Sequence, residues 1–154
     1  MYNYHVIRLT KKSEYGLMAL ALMAQKESIA TSAKDIVAEL GVPRRLLAEV
    51  LKHLSRGLIV SGTRGPGGGY RLNKKPAEIT LCEVVECLDG PLNLVDCIDE
   101  GYCELSPSCI IKSGVTKLAE DIRSVLTNAT LADLAEGSPD HQPHPAATTL
   151  LFPV

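Results

Sequence analysis

From Arg64 to Tyr70 the chain reads R-G-P-G-G-G-Y, and Gly62 lies just upstream. Glycine gives up the most backbone entropy on ordering, and proline has no N–H to donate, so neither helix nor central strand runs through such a stretch. It must turn the chain. The flanking segments, Leu58-Ile59-Val60 and Tyr70-Arg71-Leu72, are short, apolar and β-prone, and read as two strands joined at a Gly-rich tip.

Ahead of this hairpin the punctuation is helical. Thr10 caps a helix running to about Lys26, with Leu17, Leu20, Ala21 and Ala24 at helical spacing. Ser32, with Asp35 three residues on, resembles a capping box and opens a short second helix ending at Gly41. Val42-Pro43 makes a turn, and Leu46, Leu47, Val50, Leu51 and Leu54 line one face of a third helix ending near Gly57. Three helices followed by a hairpin is the order of a winged helix-turn-helix.

Beyond the hairpin, Thr80 and Glu83 form another box, starting a fourth helix to about Leu88, which Asp89-Gly90-Pro91 stops. A loop over 91–110 follows, then a long helix from about Ile110 to Thr127. Ile111, Val115, Leu118, Ile122, Val125 and Leu126 form its apolar stripe. Thr130 to Ala135 adds a last turn or two. From Glu136 onward Pro, His, Ser and Thr dominate. The expected fold is therefore mostly α with a small β-hairpin wing. It divides into a DNA-binding unit over 1–79, a cysteine loop and long helix over 80–135, and a disordered tail over 136–154.

With 154 residues, no Trp and a single Phe, the core must be aliphatic. No apolar run approaches the roughly 18 residues of a membrane span, and no basic-then-apolar leader opens the chain, so a cytoplasmic protein without a membrane partner is expected. The net charge of −2 conceals a split. Residues 1–80 hold 13 Lys/Arg against 6 Asp/Glu, a net +7, whereas residues 81–154 hold 3 against 12, a net −9. A basic front half is the footprint of a polyanion binder.

In the winged arrangement the N-terminal part of the third helix enters the major groove. Here that surface offers Pro43, Arg44, Arg45, Ala48 and Glu49, with Lys52 and His53 one turn on. Arg44 and Arg45 are suited to bidentate contact with guanine or to clamping phosphates, although an Arg pair also sits comfortably on a solvated helix face. Arg64, flanked by Gly65, Pro66 and Gly67, is placed to enter a narrow minor groove. Lys11, Lys12, Lys74 and Lys75 are candidate phosphate neutralisers.

Five cysteines are too many to ignore and odd in number, which disfavours a disulfide framework. Cys97, Cys103 and Cys109 are spaced C-x5-C-x5-C, so they converge only through a loop, which Gly101 and Pro107 permit. Thiolates favour iron–sulfur clusters or zinc. The tight C-x2-C pairs of structural zinc are lacking. Asp96, Asp99, Glu100 and Glu104 disfavour free thiolates unless a cation is present, which argues for ligands rather than nucleophiles. Plain reduced thiols are the remaining alternative. Cys82 and Cys87, five apart on the fourth helix, read as small apolar packing residues. His141 and His144 belong to the tail.

Arg8-Leu9-Thr10, the Gly-rich wing, the Thr80–Leu88 helix and the triple-cysteine loop together resemble the IscR/NsrR/RirA-like family of bacterial winged-helix iron–sulfur regulators. The likeness runs to about Ala135. It implies a homodimer crossing its long helices, here Ile110–Thr127, on a double-stranded operator. It also implies a 2Fe–2S or 4Fe–4S cluster on the three cysteines. Some relatives complete the ligand set with a His three residues after the last cysteine, where this chain has Lys112. Others use a carboxylate near the start of the first helix of the partner subunit, a position matched by Glu14, which is equally a first-turn acid favoured by the helix dipole. Ala48 stands where some relatives carry a Glu that restricts base choice. Two rivals remain: a cluster-free regulator of the same fold controlled by thiols or a partner, and a cysteine hydrolase. No ordered His or oxyanion-type turn accompanies the cysteines to support the latter.

Overall fold

The structure, a computed structural model, describes residues 8–26, 29–92, 94 and 108–136. Helices α1 (Lys11–Gln25), α2 (Ala33–Leu40) and α3 (Arg44–Arg56) lead into strands β1 (Val60–Thr63) and β2 (Gly69–Leu72). A 3-10 turn (Pro76–Glu78) and helices α4 (Leu81–Asp89), α5 (Lys112–Asn128) and α6 (Leu131–Ala135) complete the order. The fold is mostly helical with a two-stranded antiparallel hairpin, as expected.

Local chemistry sets the helix starts. The side chains of Thr10, Ser32 and Thr80 each accept a hydrogen bond from the backbone N–H three residues on, satisfying a donor that the first helical turn leaves orphaned. Glu83 receives the Lys74 ammonium at 2.6 Å, whereas Asp35 accepts from the Ser32 hydroxyl at 2.7 Å and from the Ser32 backbone, which together lower its pKa. A reciprocal box forms at Thr130 and Asp133, opening α6.

The second strand, Gly69–Leu72, falls where the sequence puts it, but the first slips. The sequence puts a strand at Leu58-Ile59-Val60, yet β1 begins at Val60 and runs through Gly62 to Thr63. Leu58 is the one non-glycine among the described residues with positive φ, 58°, and its side chain is 71% exposed. It unwinds α3, with Ile59 N–H donating to Leu54 O at 3.0 Å. β-propensity reads Leu58 as a strand, but helix termination claims it first. Val60 then pairs with Leu72 and Thr63 with Gly69.

One aliphatic core joins everything. Leu17 and Leu20 of α1, Ile36 of α2, Leu47, Val50, Leu51 and Leu54 of α3, and Ile59, Ile79, Val84 and Leu88 meet in it. Leu131 of α6 is fully buried there too. α6 returns to this body beside the start of α4: Leu131 N–H donates to Ile79 O at 2.8 Å and Leu81 N–H to Ala129 O at 2.9 Å. α5 lies outside the core and has no buried residue. Among the described residues, no helix is long and apolar enough to cross a membrane.

Candidate nucleic-acid interface and cysteine segment

α3 is divided lengthwise. Leu47, Val50, Leu51 and Leu54 are buried, whereas Arg44, Arg45, Ala48, Glu49 and Lys52 are exposed on the opposite side. The apolar period of the sequence dictates this split, because residues three and four apart share a face. Pro43 is the N-cap and contributes no side-chain cap; the first turn has no acid. Two guanidinium groups therefore crowd the positive end of the helix dipole, an arrangement that an anion relieves. Among the described residues, no salt bridge engages Arg44, Arg45, Lys52 or Arg64.

The hairpin tip holds Arg64 exposed between strands. Gly65 and Gly67 take φ of 101° and 70°, and Gly68 N–H closes the turn on Gly65 O at 2.9 Å. Gly69 serves a different need. Thr31 and Tyr70 exchange backbone hydrogen bonds at 3.0 and 2.9 Å, docking β2 on the residues that open α2. A Cβ on Gly69 would lie 2.6 Å from the Thr31 carbonyl carbon. The glycine run thus both builds the tip and seats the wing against the helical body.

The four lysines expected to neutralise phosphate differ. Lys11 pairs with Glu14, which raises the ammonium pKa, and lies 5.8 Å from the Tyr15 ring centre. Lys12 donates to Leu88 O at 2.5 Å and stands 3.9 Å from Asp89. Lys74 is held by Glu83, and Lys75 N-caps the 3-10 turn. Lys12 and Lys74 are stitched into the fold rather than presented freely.

Sequence reasoning missed the clamp around Asp89. Its carboxylate accepts from Thr10 Oγ1 at 2.8 Å and from Ser13 Oγ at 2.6 Å, so the last residue of α4 sits on the first turn of α1. An anion there also favours the helix dipole. Nothing local in the sequence announces a contact 76 residues away.

Cys97 and Cys103 lie outside the described residues. Cys109 is half-buried just ahead of α5, beside a shallow surface formed with Lys112, Ser113, Thr116 and Lys117. Glu14 lies in the first turn of α1, and its side chain is partly exposed. Cys82 is buried, as expected of a packing residue. Cys87 is half-buried; its Sγ donates to His53 O at 3.4 Å, and burial pushes the thiol pKa up. His53, whose role the sequence leaves open, makes a 2.9 Å hydrogen bond from Nδ1 to Glu49 O and lines an open groove with Arg56, Cys87 and Arg123.

Three helices, a wing carrying Arg64 and an open basic face on the third helix define a winged helix-turn-helix protein. The chain belongs to the Rrf2 family, described as iron-dependent transcriptional regulators, whose pattern matches residues 9–137. It is similar to CymR (YrzC), titled the global cysteine regulator of B. subtilis: TM-score 0.70, 26% identity, covering 86% of this chain and 98% of that one. It is also similar to T. potens IscR, with TM-score 0.70 and 25% identity over 90% of this chain and 93% of that one. Staphylococcus aureus CymR matches with TM-score 0.63 and 27% identity, covering 82% and 97%. The protein is thus a transcription regulator of the Rrf2 type.

Proposed function

We propose that this regulator is a cytoplasmic homodimer whose affinity for a double-stranded operator is set by an iron–sulfur cluster held by Cys97, Cys103 and Cys109. The reading rests on the exposed basic face of α3, in a chain whose sequence carries Cys97, Cys103 and Cys109 beyond the Asp89 clamp on α1. The donor set fits the group: soft thiolates suit iron–sulfur clusters, and Cys109 stands open to the surface beside Lys112 and Lys117. Glu14 of the partner subunit is proposed as the fourth ligand. When bound, the cluster supplies a redox- and ligand-sensitive crosslink between the two chains.

The residues of the chain itself do the rest. Arg44 and Arg45 read or clamp DNA in the major groove, with Ala48, Glu49 and Lys52 beside them. Arg64, Gly65, Pro66 and Gly67 approach the minor groove, and Lys11 adds phosphate contact. Two α3 helices must span about one duplex turn, roughly 34 Å, and that spacing tolerates little error. Asp89 links the base of the cysteine segment to the first turn of α1, which packs on α3 in the core. A change in that segment is thereby felt in the spacing.

Anaerobic purification tests the reading. Brown protein containing iron and sulfide, binding its operator more tightly than the stripped form, is expected; a coupling of about 1–3 kcal/mol gives about 5–150-fold. Glu14→Ala should change the cluster spectrum or its lifetime in air. Equal affinity of loaded and stripped protein ends the proposal. The likeness to CymR favours one second reading, a cluster-free regulator governed by thiols or a partner, for which colourless protein with full operator affinity is the expected result.

A further inference from the structure

The base of the hairpin carries a groove apart from the exposed face of α3. Met23 and Ala24 at the end of α1, Ile29, and Leu72 of β2 give it apolar walls; Arg71 and Lys75 stand at its rim. Its volume is about 720 Å³. Ile29 is 69% exposed although it stands next to the half-buried Leu72 and the buried Met23. A large aliphatic side chain left in water beside other apolar surface is a place where a further apolar group gains by burial.

α6 ends beside this groove. Gln25, the residue after Ala24, donates from Nε2 to Ala135 O at 3.3 Å, and Pro76 and Glu78 of the groove belong to the turn against which α6 packs. The chain beyond Glu136 therefore starts at the groove's edge. Its sequence is polar and Pro-rich to Thr149 and then changes character: Leu150, Leu151, Phe152, Pro153 and Val154 are all apolar, and Phe152 is the only Phe in the protein. A solvated spacer has no need of such a cluster.

We propose that residues 150–154 dock into this groove of their own chain, with Phe152 and Leu151 against Ile29 and Leu72. The spacer is long enough: 14 steps from Glu136 to Leu150 give a flexible chain an r.m.s. span of about 20 Å. Tethering at the groove's edge supplies an effective concentration on the order of millimolar, so weak apolar contacts suffice. The groove's charged lining is net basic, with Arg71, Lys74 and Lys75 against Glu78, and Asp140 in the spacer is complementary to it. Because β2 forms one wall, the docked segment braces the strand from which the wing projects.

The single Phe gives a clean test on the full chain. Biosynthetic 4-fluorophenylalanine yields one fluorine resonance, from position 152. In the intact protein it is expected to be displaced from that of a peptide of residues 146–154 and to be broadened to the width of the folded body. Ile29→Asp, at an exposed site, should return it to the peptide value while the circular dichroism stays unchanged. A resonance matching the free peptide, or a displaced one indifferent to Ile29→Asp, overturns the proposal. So does recovery of the displaced signal when labelled Ile29→Asp protein is mixed with unlabelled wild type, because the segment then occupies another copy. These outcomes are independent of any cluster.

Discussion

Arg123 on α5 grips Glu86 on α4 through two parallel hydrogen bonds, Nε to Oε1 at 2.9 Å and Nη2 to Oε2 at 3.1 Å. Bidentate pairing fixes direction as well as distance. α5 buries no residue and packs chiefly on α4, and this pair is one of the bonds that join the two helices.

The hydrogen bond from Arg123 holds the Glu86 carboxyl below its ordinary range. A group depressed in the folded state contributes stability above its unfolded pKa, near 4.3, and loses it as pH falls through the lower folded value. Wild type should therefore melt above Glu86→Gln at pH 7, and the gap should close as the solution is acidified below about pH 4. A gap that persists in acid means that Glu86 acts by packing alone. Arg123 is 60% exposed and solvent screens the pair, so the gap is small.

How much of this was legible beforehand depends on the range of the forces. Thr10, Ser32 and Thr80 announce helix starts because capping joins atoms three residues apart. The basic face of α3 follows from its apolar period. Leu58 belongs to a turn rather than a strand because the demand that ends α3 is not in its own propensity. The Asp89 clamp and the role of Gly69 were invisible, since each depends on a partner many residues distant. The six-residue stripe on α5 was visible as a period, but the sequence does not say which half faces its own body.

That stripe divides. Val115, Ile122 and Leu126 are half-buried, whereas Ile111, Leu118 and Val125, seven residues apart, are 61%, 51% and 65% exposed. A heptad repeat of aliphatics is the seam of a helix pair. On the proposed homodimer, Leu118→Asp should shift the protein to monomer in sedimentation equilibrium without altering its helix content. A persistent dimer would place the subunit contact elsewhere.

Gly69→Ala should destabilise the fold by about 1–3 kcal/mol, the usual cost of forcing a methyl into packed atoms. Thr31 backbone has no flexible end to move aside. Gly62→Ala should cost less, because its Cβ would meet the Tyr70 ring at 3.4 Å, close to ordinary contact. Urea midpoints for the two variants should rank in that order; equal midpoints would remove the docking role assigned to Gly69.

Leu131→Ala should cost about 2–5 kcal/mol, as truncation of a fully buried leucine does. The side chain belongs to a five-residue helix that could not form alone, so the loss is also expected to free α6 from α1. Hydrogen exchange at Leu131, whose amide donates to Ile79 O, should then rise to the rate of an open amide well below the global transition.

The two arginine sites should answer differently to DNA sequence and salt. A guanidinium on a base edge discriminates between sequences, whereas one on phosphate adds affinity everywhere and contributes about one unit to the salt slope. Arg45, two turns from Lys52 on the exposed face of α3, is expected to cost about 1–3 kcal/mol on truncation to Ala and to relax preference at one base position. Arg64→Ala should weaken binding most where the flanking duplex is A·T-rich, since a narrow minor groove is where a tip cation gains most. Gel-shift titrations against randomised flanks and cores, repeated between 50 and 200 mM salt, separate these outcomes. Uniform losses for both variants across all sequences would make the whole basic face a phosphate clamp and leave sequence reading to other residues.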